Sequence, residues 1–220
     1  MEWMQERTEV LQTAQAMLQA GLVAGAAGNV SKRVGQRQGK ILLAITPTQR
    51  PYNTLHPEDI VVIDEEGEPV AGDLPPSSES LLHIAIYRAR PDVHGVIHTH
   101  SLYASVCAAA GLDIPPILDE VVVFIGGPVR VASYGFPGSQ DLANRAVDAL
   151  GDRCGVLLRH HGAVGVGRTL EQALQVCLLV ERAAQVFILA KLLGNAPVLA
   201  PEAVETERAI YLMRQRPGQP

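Results

Sequence analysis

The sequence is short of cysteine and of aromatic residues, and the first shortage removes two classes of protein. Its 220 residues hold three cysteines, with no C-x-x-C pair among them. An odd number without that spacing disfavours a disulfide framework and a thiolate zinc site. We therefore expect Cys107, Cys154 and Cys177 to be buried thiols that act as small apolar side chains.

Positive charge is neither abundant nor clustered. Lysine and arginine total 18 against 23 acidic residues, for a formal net charge of -5. A nucleic-acid partner is not expected, because no basic stripe is present to neutralise phosphates. The first ten residues, MEWMQERTEV, lack the layout of a signal peptide, and the apolar runs break before the roughly 18 residues of a membrane span. We expect a cytoplasmic protein without a membrane partner.

Hydrophobic residues make up 47% of the chain and charged residues 19%. That composition and length suit one substantial core, so we expect a single domain over residues 1–220. Apolar spacing predicts helices and strands in no strict βαβ alternation, which favours an α/β (α+β-like) domain with a central, mainly antiparallel sheet flanked by helices. The predicted helices cover about 7–21, 77–90, 101–111, the segment opened by Pro137, 170–193 and 202–213. The predicted strands cover about 27–34, 40–46, 59–70, 95–100, 129–134, 155–161 and 162–167.

Histidines follow a pattern typical of a metal site. In the predicted strand VIHTH, His98 and His100 are two residues apart and project from the same face. A third imidazole could come from His160 or His161, of which His161 adjoins the glycine turn and is favoured. Three neutral imidazoles suit zinc, or another divalent transition metal, and leave a coordination position open for substrate or water. The other three histidines show no such pattern, so we expect structural or exposed roles for His56, His83 and His94.

Glu79 stands at the start of a predicted helix, after two prolines and two serines. A carboxylate near a metal can be a ligand at rest and a proton acceptor once substrate binds. The alternative is an ordinary first-turn glutamate that favours the positive helix end. Two loops, Ala24–Asn29 and Pro76–Ser78, offer backbone N–H groups and hydroxyls of the kind that hold anions.

Together these segments resemble the class II aldolase/adducin family. The resemblance follows the order of the chain through GNVS, TPT, SSE, HIAIYRARPD, VIHTHS and HHGAVGVGRTLEQAL, which begins at His160. It implies a central antiparallel sheet with flanking helices and a cyclic homotetramer with active sites between subunits. It also implies zinc, selects His161 over His160, and gives Glu79 a second role as acid/base. The implied metal ligands are Glu79, His98, His100 and His161, and the implied phosphate-binding residues are Asn29, Thr48, Ser77 and Ser78.

The activity that the resemblance implies is a sugar-phosphate aldolase. Such an enzyme reversibly cleaves a ketose 1-phosphate like L-fuculose 1-phosphate into dihydroxyacetone phosphate and an aldehyde, through an enediolate that zinc stabilises. A dehydratase such as methylthioribulose-1-phosphate dehydratase, a decarboxylase or an epimerase is the alternative, although the epimerases usually carry Asp at the position of Glu79. A non-catalytic adducin-like module would have little reason to keep the four ligand-type side chains.

Two positions depart from the aldolase pattern, and a third is a possible match to it. Gln49 replaces a glycine after TPT, which could crowd the approach of a phosphate to the backbone. Glu120 falls near the position of an active-site tyrosine and could be a second acid/base. Tyr211 could be the carboxy-terminal tyrosine that aldolases contribute across the subunit boundary.

Overall fold

A mixed eight-stranded sheet forms the centre of the computed structural model, which describes residues 2–216. The strands stand in the spatial order β4-β3-β2-β1-β5-β8-β7-β6, and every neighbouring pair is antiparallel except β6 and β7. Their bounds are β1 (Asn29–Arg37), β2 (Lys40–Ile45), β3 (Val61–Asp64), β4 (Pro69–Ala71), β5 (Gly95–Thr99), β6 (Arg130–Ala132), β7 (Gly155–Leu158) and β8 (Gly162–Gly167).

Residues 2–216 form six helices around the sheet, of which α6 packs on the π-helical turn that follows α3. Helix α1 packs on β1 and β2, α4 on β6 and β7, and α5 on β5 and β8, whereas α2 packs on α4. Their bounds are α1 (Met4–Gln19), α2 (Ser80–Ala89), α3 (Leu102–Ala110), α4 (Gln140–Leu150), α5 (Leu170–Leu192) and α6 (Pro201–Arg214). Short 3-10 turns occupy Tyr52–Thr54 and Pro57–Asp59, and a π-helical turn occupies Val121–Ile125.

Both faces of the sheet are buried, which the strand sequences explain. Successive side chains of a strand point to opposite faces, so in β2 the side chains of Leu43 and Ile45 join one core, shared with α2 and α4. Leu42 and Ala44 of the same strand join the second core, shared with α1. A run of apolar residues without alternation is therefore what this strand requires.

The predicted architecture is confirmed, with differences in detail. The sheet is mainly antiparallel and flanked by helices, but its last pair of strands is parallel. The expected first-turn position of Glu79 was wrong, because α2 begins at Ser80 and Glu79 is its N-cap residue. The expectation for the three cysteines is confirmed, since all three are free and buried.

The expectation that no apolar stretch is long enough for a membrane span was wrong for one helix. Leu170–Leu192 has 23 residues and an 18-residue window of mean hydropathy 1.7. By length and composition alone, this helix could cross a membrane. In the fold this helix packs against β5 and β8 and contributes to both cores. In the fold 44% of that window is buried, along the stripe that packs on the sheet, so the apolar composition of the helix reflects its contact with the core.

Candidate metal centre and active site

The candidate site forms where three neighbouring strands meet. Because β5 runs antiparallel to both of its neighbours, its end lies beside the beginnings of β1 and β8. In this register His98 of β5 stands opposite Asn29 of β1 on one side and Val164 of β8 on the other. His100 follows the last residue of β5 and His161 precedes the first residue of β8. Side chains far apart in the chain thus come to one edge of the sheet.

Two glycines permit this close approach. A Cβ on Gly162 would lie 2.2 Å from the carbonyl oxygen of Thr99, so only glycine lets β8 begin directly against the end of β5. A Cβ on Gly28 would lie 2.5 Å from the carbonyl oxygen of His98, and its φ of +70° is in the left-handed region that glycine adopts without penalty. The backbone at both positions therefore holds the histidines close together.

Four side chains of types that can ligate a metal form a tight cluster at this edge. One ligand atom from each of Glu79, His98, His100 and His161 lies within 4.8 Å of the others. The Nε2 atoms of His98 and His100 are 2.8 Å apart. Nε2 of His98 is 3.2 Å from Oε2 of Glu79, and Nε2 of His161 is 3.5 Å from Oε1 of the same carboxylate. Three nitrogens and one carboxylate thus converge on one point.

The imidazoles are held in the form that coordinates metal. Nδ1 of His98 lies 3.0 Å from the carbonyl oxygen of Ala163, to which it donates, and this hydrogen bond aims Nε2 into the cluster. Desolvation of the ring, together with the positive charge that His98 and His161 carry when protonated, lowers the pKa of His100 to about 4. Burial and the charge of His98 also lower the pKa of His161. Neutral imidazoles at working pH are ready ligands.

Glu79 is buried and ionised. Its backbone N–H donates to Oγ of Ser77 at 3.2 Å, and its Oε2 accepts from the Asn29 amide at 3.0 Å. Burial alone would raise the pKa of the Glu79 carboxyl, but the hydrogen bond and charge of His98, with help from His161 and Asn29, lower it well below the usual value. The carboxylate is therefore available as a ligand or as a base.

The cluster fits a divalent transition metal. Oε1 of Glu79 and Nδ1 of His161 are buried without a hydrogen-bond partner among residues 2–216. A buried carboxylate oxygen left unpaired is costly, and a cation beside it removes that cost. Three imidazole nitrogens and one carboxylate oxygen are a donor set typical of zinc and its neighbours in the first transition row.

The structure brings His161, and not His160, into this cluster. His160 lies in the turn between β7 and β8 with a φ of +56°, and its exposed ring accepts from Arg159 beside Tyr134. His56 is exposed at a 3-10 turn, and His94 is exposed on the surface before β5. His83 is different. It is fully buried and hydrogen-bonded to Asn29, a role that no sequence pattern indicated.

The expected phosphate-binding residues occupy two adjoining segments. The backbone N–H of Thr48 donates to Pro75, and the backbone N–H of Ser77 donates to Thr46, so the TPT and PSS segments lie side by side. Ser77 is buried and touches Glu79, whereas Ser78 is exposed. Gln49 is exposed and holds a φ of +53°, in the region that glycine adopts freely.

The two further candidates, Glu120 and Tyr211, lie elsewhere in this chain. Tyr211 is 1% exposed, and its hydroxyl donates to the carbonyl oxygen of Asp152 at 2.6 Å, so it is a core residue of its own subunit. Glu120 is partly exposed, and its carboxylate lies 3.4 Å from the Arg182 guanidinium. Glu120 lines a cavity of about 330 Å³ between α5, α6 and the π-helical turn, and none of the four clustered residues lines it.

Comparison with known proteins agrees with this geometry. The profile of the Class II Aldolase and Adducin N-terminal domain family matches residues 8–188. The chain belongs to this family. It is 36% identical over 197 residues to the 5-deoxy-D-ribulose 1-phosphate aldolase of Bacillus thuringiensis serovar kurstaki, an alignment that covers 90% of each protein. It is 35% identical over 199 residues to the 5-methylthioribulose-1-phosphate/5-deoxyribulose-1-phosphate aldolase of Rhodospirillum rubrum, which covers 90% of this chain and 87% of the relative.

A solved structure gives the same result. An L-fuculose 1-phosphate aldolase superposes with a TM-score of 0.88 at 32% identity, which covers 94% of this chain and 96% of the other. With relatives named as aldolases and a His/Glu group able to hold a metal, the chain is an enzyme of the class II aldolase type. The resemblance inferred from the sequence motifs is confirmed.

Proposed function

We propose that this enzyme is a zinc-dependent aldolase that reversibly cleaves a ketose 1-phosphate into dihydroxyacetone phosphate and an aldehyde. The observation that carries the proposal is the cluster of one carboxylate and three imidazoles, with ligand atoms within 4.8 Å of one another, at the edge of the sheet. A buried cluster of titratable, metal-binding side chains is typical of an active site. A protein that only binds a partner has no use for such a cluster.

The substrate class follows from what the relatives share. They are named for 5-deoxyribulose 1-phosphate, 5-methylthioribulose 1-phosphate and L-fuculose 1-phosphate. Each is a ketose 1-phosphate without a hydroxyl on its last carbon, and cleavage between the third and fourth carbons of any of them releases dihydroxyacetone phosphate. We assign the enzyme a substrate of this class, like L-fuculose 1-phosphate.

His98, His100, His161 and Glu79 would hold the metal. A divalent ion bound there supplies a Lewis acid that stabilises negative charge on the substrate oxygens as the carbon-carbon bond breaks or forms. The three histidines contribute neutral donors, with the tautomer of His98 fixed by Ala163. Because His100 is exposed whereas His98 is fully buried, the open side of the cluster faces solvent at His100.

Glu79 would exchange the proton. In the direction of carbon-carbon bond formation it takes a proton from the carbon beside the carbonyl of dihydroxyacetone phosphate, and in cleavage it returns one. Its two oxygens are unequal. Oε2 is held by the Asn29 amide, whereas Oε1 has no hydrogen-bond partner within residues 2–216. Oε1 is the atom that we assign to proton transfer.

Asn29, Thr48, Ser77 and Ser78 would bind the substrate phosphate. The hydroxyls of Thr48 and Ser78 lie in adjoining segments beside the cluster, and neither side chain has a protein partner in the part of the chain that the structure describes. Ser77 links this region to Glu79, because its Oγ accepts from the Glu79 backbone. A phosphate on these hydroxyls would place the ketose next to the metal ligands.

We further propose a cytoplasmic homotetramer with active sites between subunits. Exposed apolar residues beside the site support a subunit contact there, since Leu102, two residues after His100, is 67% exposed and Phe136 is 73% exposed. Analytical ultracentrifugation measures the assembly directly. A monomer at micromolar concentration would contradict this part of the proposal.

The activity is tested on purified protein with metal content measured in parallel. Incubation with L-fuculose 1-phosphate, 5-deoxyribulose 1-phosphate and 5-methylthioribulose 1-phosphate should release dihydroxyacetone phosphate, and a chelator should stop the release. Water loss from 5-methylthioribulose 1-phosphate with no dihydroxyacetone phosphate would make the enzyme a dehydratase. Absence of any bound divalent ion, together with indifference to the chelator, would refute the metal-dependent mechanism.

The role of Glu79 has a matched control. Glu79→Gln keeps the shape of the side chain but not its basicity, so the turnover number should fall by about 10²- to 10⁴-fold. Glu205→Gln removes an exposed carboxylate from α6 and should leave turnover unchanged. Full activity in Glu79→Gln would exclude this residue as the base.

A further inference from the structure

A buried chain of hydrogen bonds extends from Glu79 into the core. Nδ2 of Asn29 donates to Oε2 of Glu79 at 3.0 Å, and Oδ1 of the same amide is 2.5 Å from Nε2 of His83. Nδ1 of His83 is 2.6 Å from Oγ of Ser31, whose carbonyl accepts from the Tyr87 hydroxyl at 2.9 Å. Asn29 is 4% exposed, and Ser31 and His83 are fully buried. Water therefore does not reach these hydrogen bonds and cannot replace a missing partner.

The direction of each hydrogen bond follows from its neighbours. The Glu79 carboxylate accepts, so the Asn29 amide turns its NH2 group toward it and its carbonyl oxygen toward His83. Nε2 of His83 must then carry the proton, because two facing acceptors would repel. Burial lowers the pKa of His83 to about 3, so the ring is neutral and its Nδ1 accepts from the Ser31 hydroxyl. Every donor in the chain points toward Glu79.

We propose that His83 is a positioning residue: its Nε2–H fixes the Asn29 amide in the one orientation that donates to Glu79. This inference rests on the proposed role of Glu79 as metal ligand and base. An amide is nearly symmetric in shape, so nothing but its hydrogen-bond partners distinguishes its two orientations. Without the donor from His83, the Asn29 carbonyl could turn toward the carboxylate, which would weaken both metal binding and proton transfer.

Geometry separates this role from simple packing. His83 stands four residues after Glu79, one turn further along α2, so the same helix carries the carboxylate and the group that orients its partner. Asn29 and Ser31 are two residues apart on β1 and so face the same side of the sheet. Helix and strand thus contribute alternate members of the chain. Because both nitrogens of His83 are paired in this way, removing the ring takes a donor from Asn29 as well as volume from the core.

The test uses variants that differ in the donor alone. His83→Leu removes both nitrogens, whereas His83→Gln offers an amide N–H at the position of Nε2. Zinc affinity of the metal-free protein, measured by competition with a chromogenic chelator, is the main readout, and turnover on L-fuculose 1-phosphate is the second. Ile86→Val changes another fully buried side chain of α2 and is the packing control.

We expect His83→Leu to lose about tenfold in zinc affinity and in turnover number, since outer partners of metal ligands typically contribute that much. KM should change by less than about twofold, and His83→Gln should recover most of the loss. In an Asn29→Ala background, His83→Leu should add less than about twofold, because both changes remove the same hydrogen bond. Ile86→Val should match the wild type in zinc affinity.

Several results would overturn the positioning role. Equal zinc affinity in the wild type and His83→Leu would do so, as would a full multiplicative effect in the Asn29→Ala background or a His83→Gln variant as impaired as His83→Leu. If His83→Leu does not fold, Ser31→Ala tests the same chain from its far end and should lose about threefold in zinc affinity. Failure of the wild type itself to bind zinc would refute the proposed function instead, which keeps the two failures distinct.

Discussion

Helix α3 depends on a cap that comes from another helix. Its N-cap residue, Ser101, makes no side-chain hydrogen bond to the helix. Instead the carboxylate of Glu181, in α5, accepts from the backbone N–H of Tyr103 at 2.9 Å and of Ala104 at 2.8 Å. Since α3 begins two residues after His100, this carboxylate also fixes the segment that carries a proposed metal ligand. We predict that Glu181→Ala destabilises the protein and weakens zinc binding together.

The size of the effect follows from the two interactions that are lost. Removing a side-chain cap costs about 0.5–2 kcal/mol. Removing a negative charge from a helix N-terminus costs about 0.3–1 kcal/mol more. For Glu181→Ala we expect a loss of about 2 kcal/mol in the free energy of unfolding, which lowers the Tm of a chain of this size by roughly 4–8 °C. Glu181→Gln keeps one acceptor but turns an NH2 group toward the other N–H, so about half of the loss should remain.

Thermal unfolding of metal-free protein, at matched concentrations because association shifts Tm, measures the first effect. Chelator competition measures the second, and we expect zinc affinity to fall several-fold. Glu205→Gln, on the surface of α6, is the control and should change neither quantity. A Glu181→Ala variant with unchanged Tm would show that the two hydrogen bonds contribute nothing. A lower Tm with unchanged zinc affinity would show that the position of His100 does not depend on the start of α3.

Three further outcomes test other parts of the structure. Gln49→Gly should lower KM for the phosphorylated ketose, because it opens the backbone to the phosphate. Stability should stay within about 1 kcal/mol, because relief of the left-handed φ offsets the added freedom of the unfolded chain. An unchanged or higher KM contradicts the crowding argument. Tyr211→Phe should lose about 1–2 kcal/mol of stability, because it leaves a buried acceptor unpaired, and should change turnover less than twofold. A large loss of turnover would show that this tyrosine acts in the active site. Ellman's reagent should find almost no reactive thiol in the folded protein and three in denaturant, because burial raises the pKa of Cys107 to about 11, that of Cys177 to about 12 and that of Cys154 above its usual value; rapid labelling before denaturation would contradict their burial.

The parts of the fold and site that sequence reasoning predicted are those set by local pattern. Apolar periodicity located the helices and strands, and the two-residue spacing of His98 and His100 put both imidazoles on one side of β5, where the structure has them. For the third imidazole, the local pattern gave only a preference for His161 over His160. The structure separates them through the left-handed φ of His160, which turns that ring outward; such an angle is uncommon in residues other than glycine, and the enrichment of histidine there does not distinguish His160 from His161.

The parts that were missed depend on partners distant in sequence. The hydrogen bond of His83 reaches a strand 54 positions earlier, and the cap from Glu181 reaches a helix 77 positions earlier. A buried histidine and a mid-helix glutamate look ordinary in sequence, because their roles come from the register of β1 and the packing of α5. The π-helical turn at Val121–Ile125 was missed for a related reason, since its apolar run fits a short strand equally well.

The proposed metal ligands and the proposed substrate-binding residues differ in how the fold holds them, and this difference bears on specificity. His98, Asn29 and Glu79 are fixed by strand pairing, a helix N-terminus and buried hydrogen bonds, so substitutions around them would alter the proposed metal site. Thr48 and Ser78 lie in loop segments, where neither hydroxyl has a partner within residues 2–216, and the proposed site opens to solvent at His100. Loops accept substitution more readily than a buried sheet edge. Changes of substrate within this family are therefore expected in the loops and at subunit contacts, with the sheet-borne cluster unchanged.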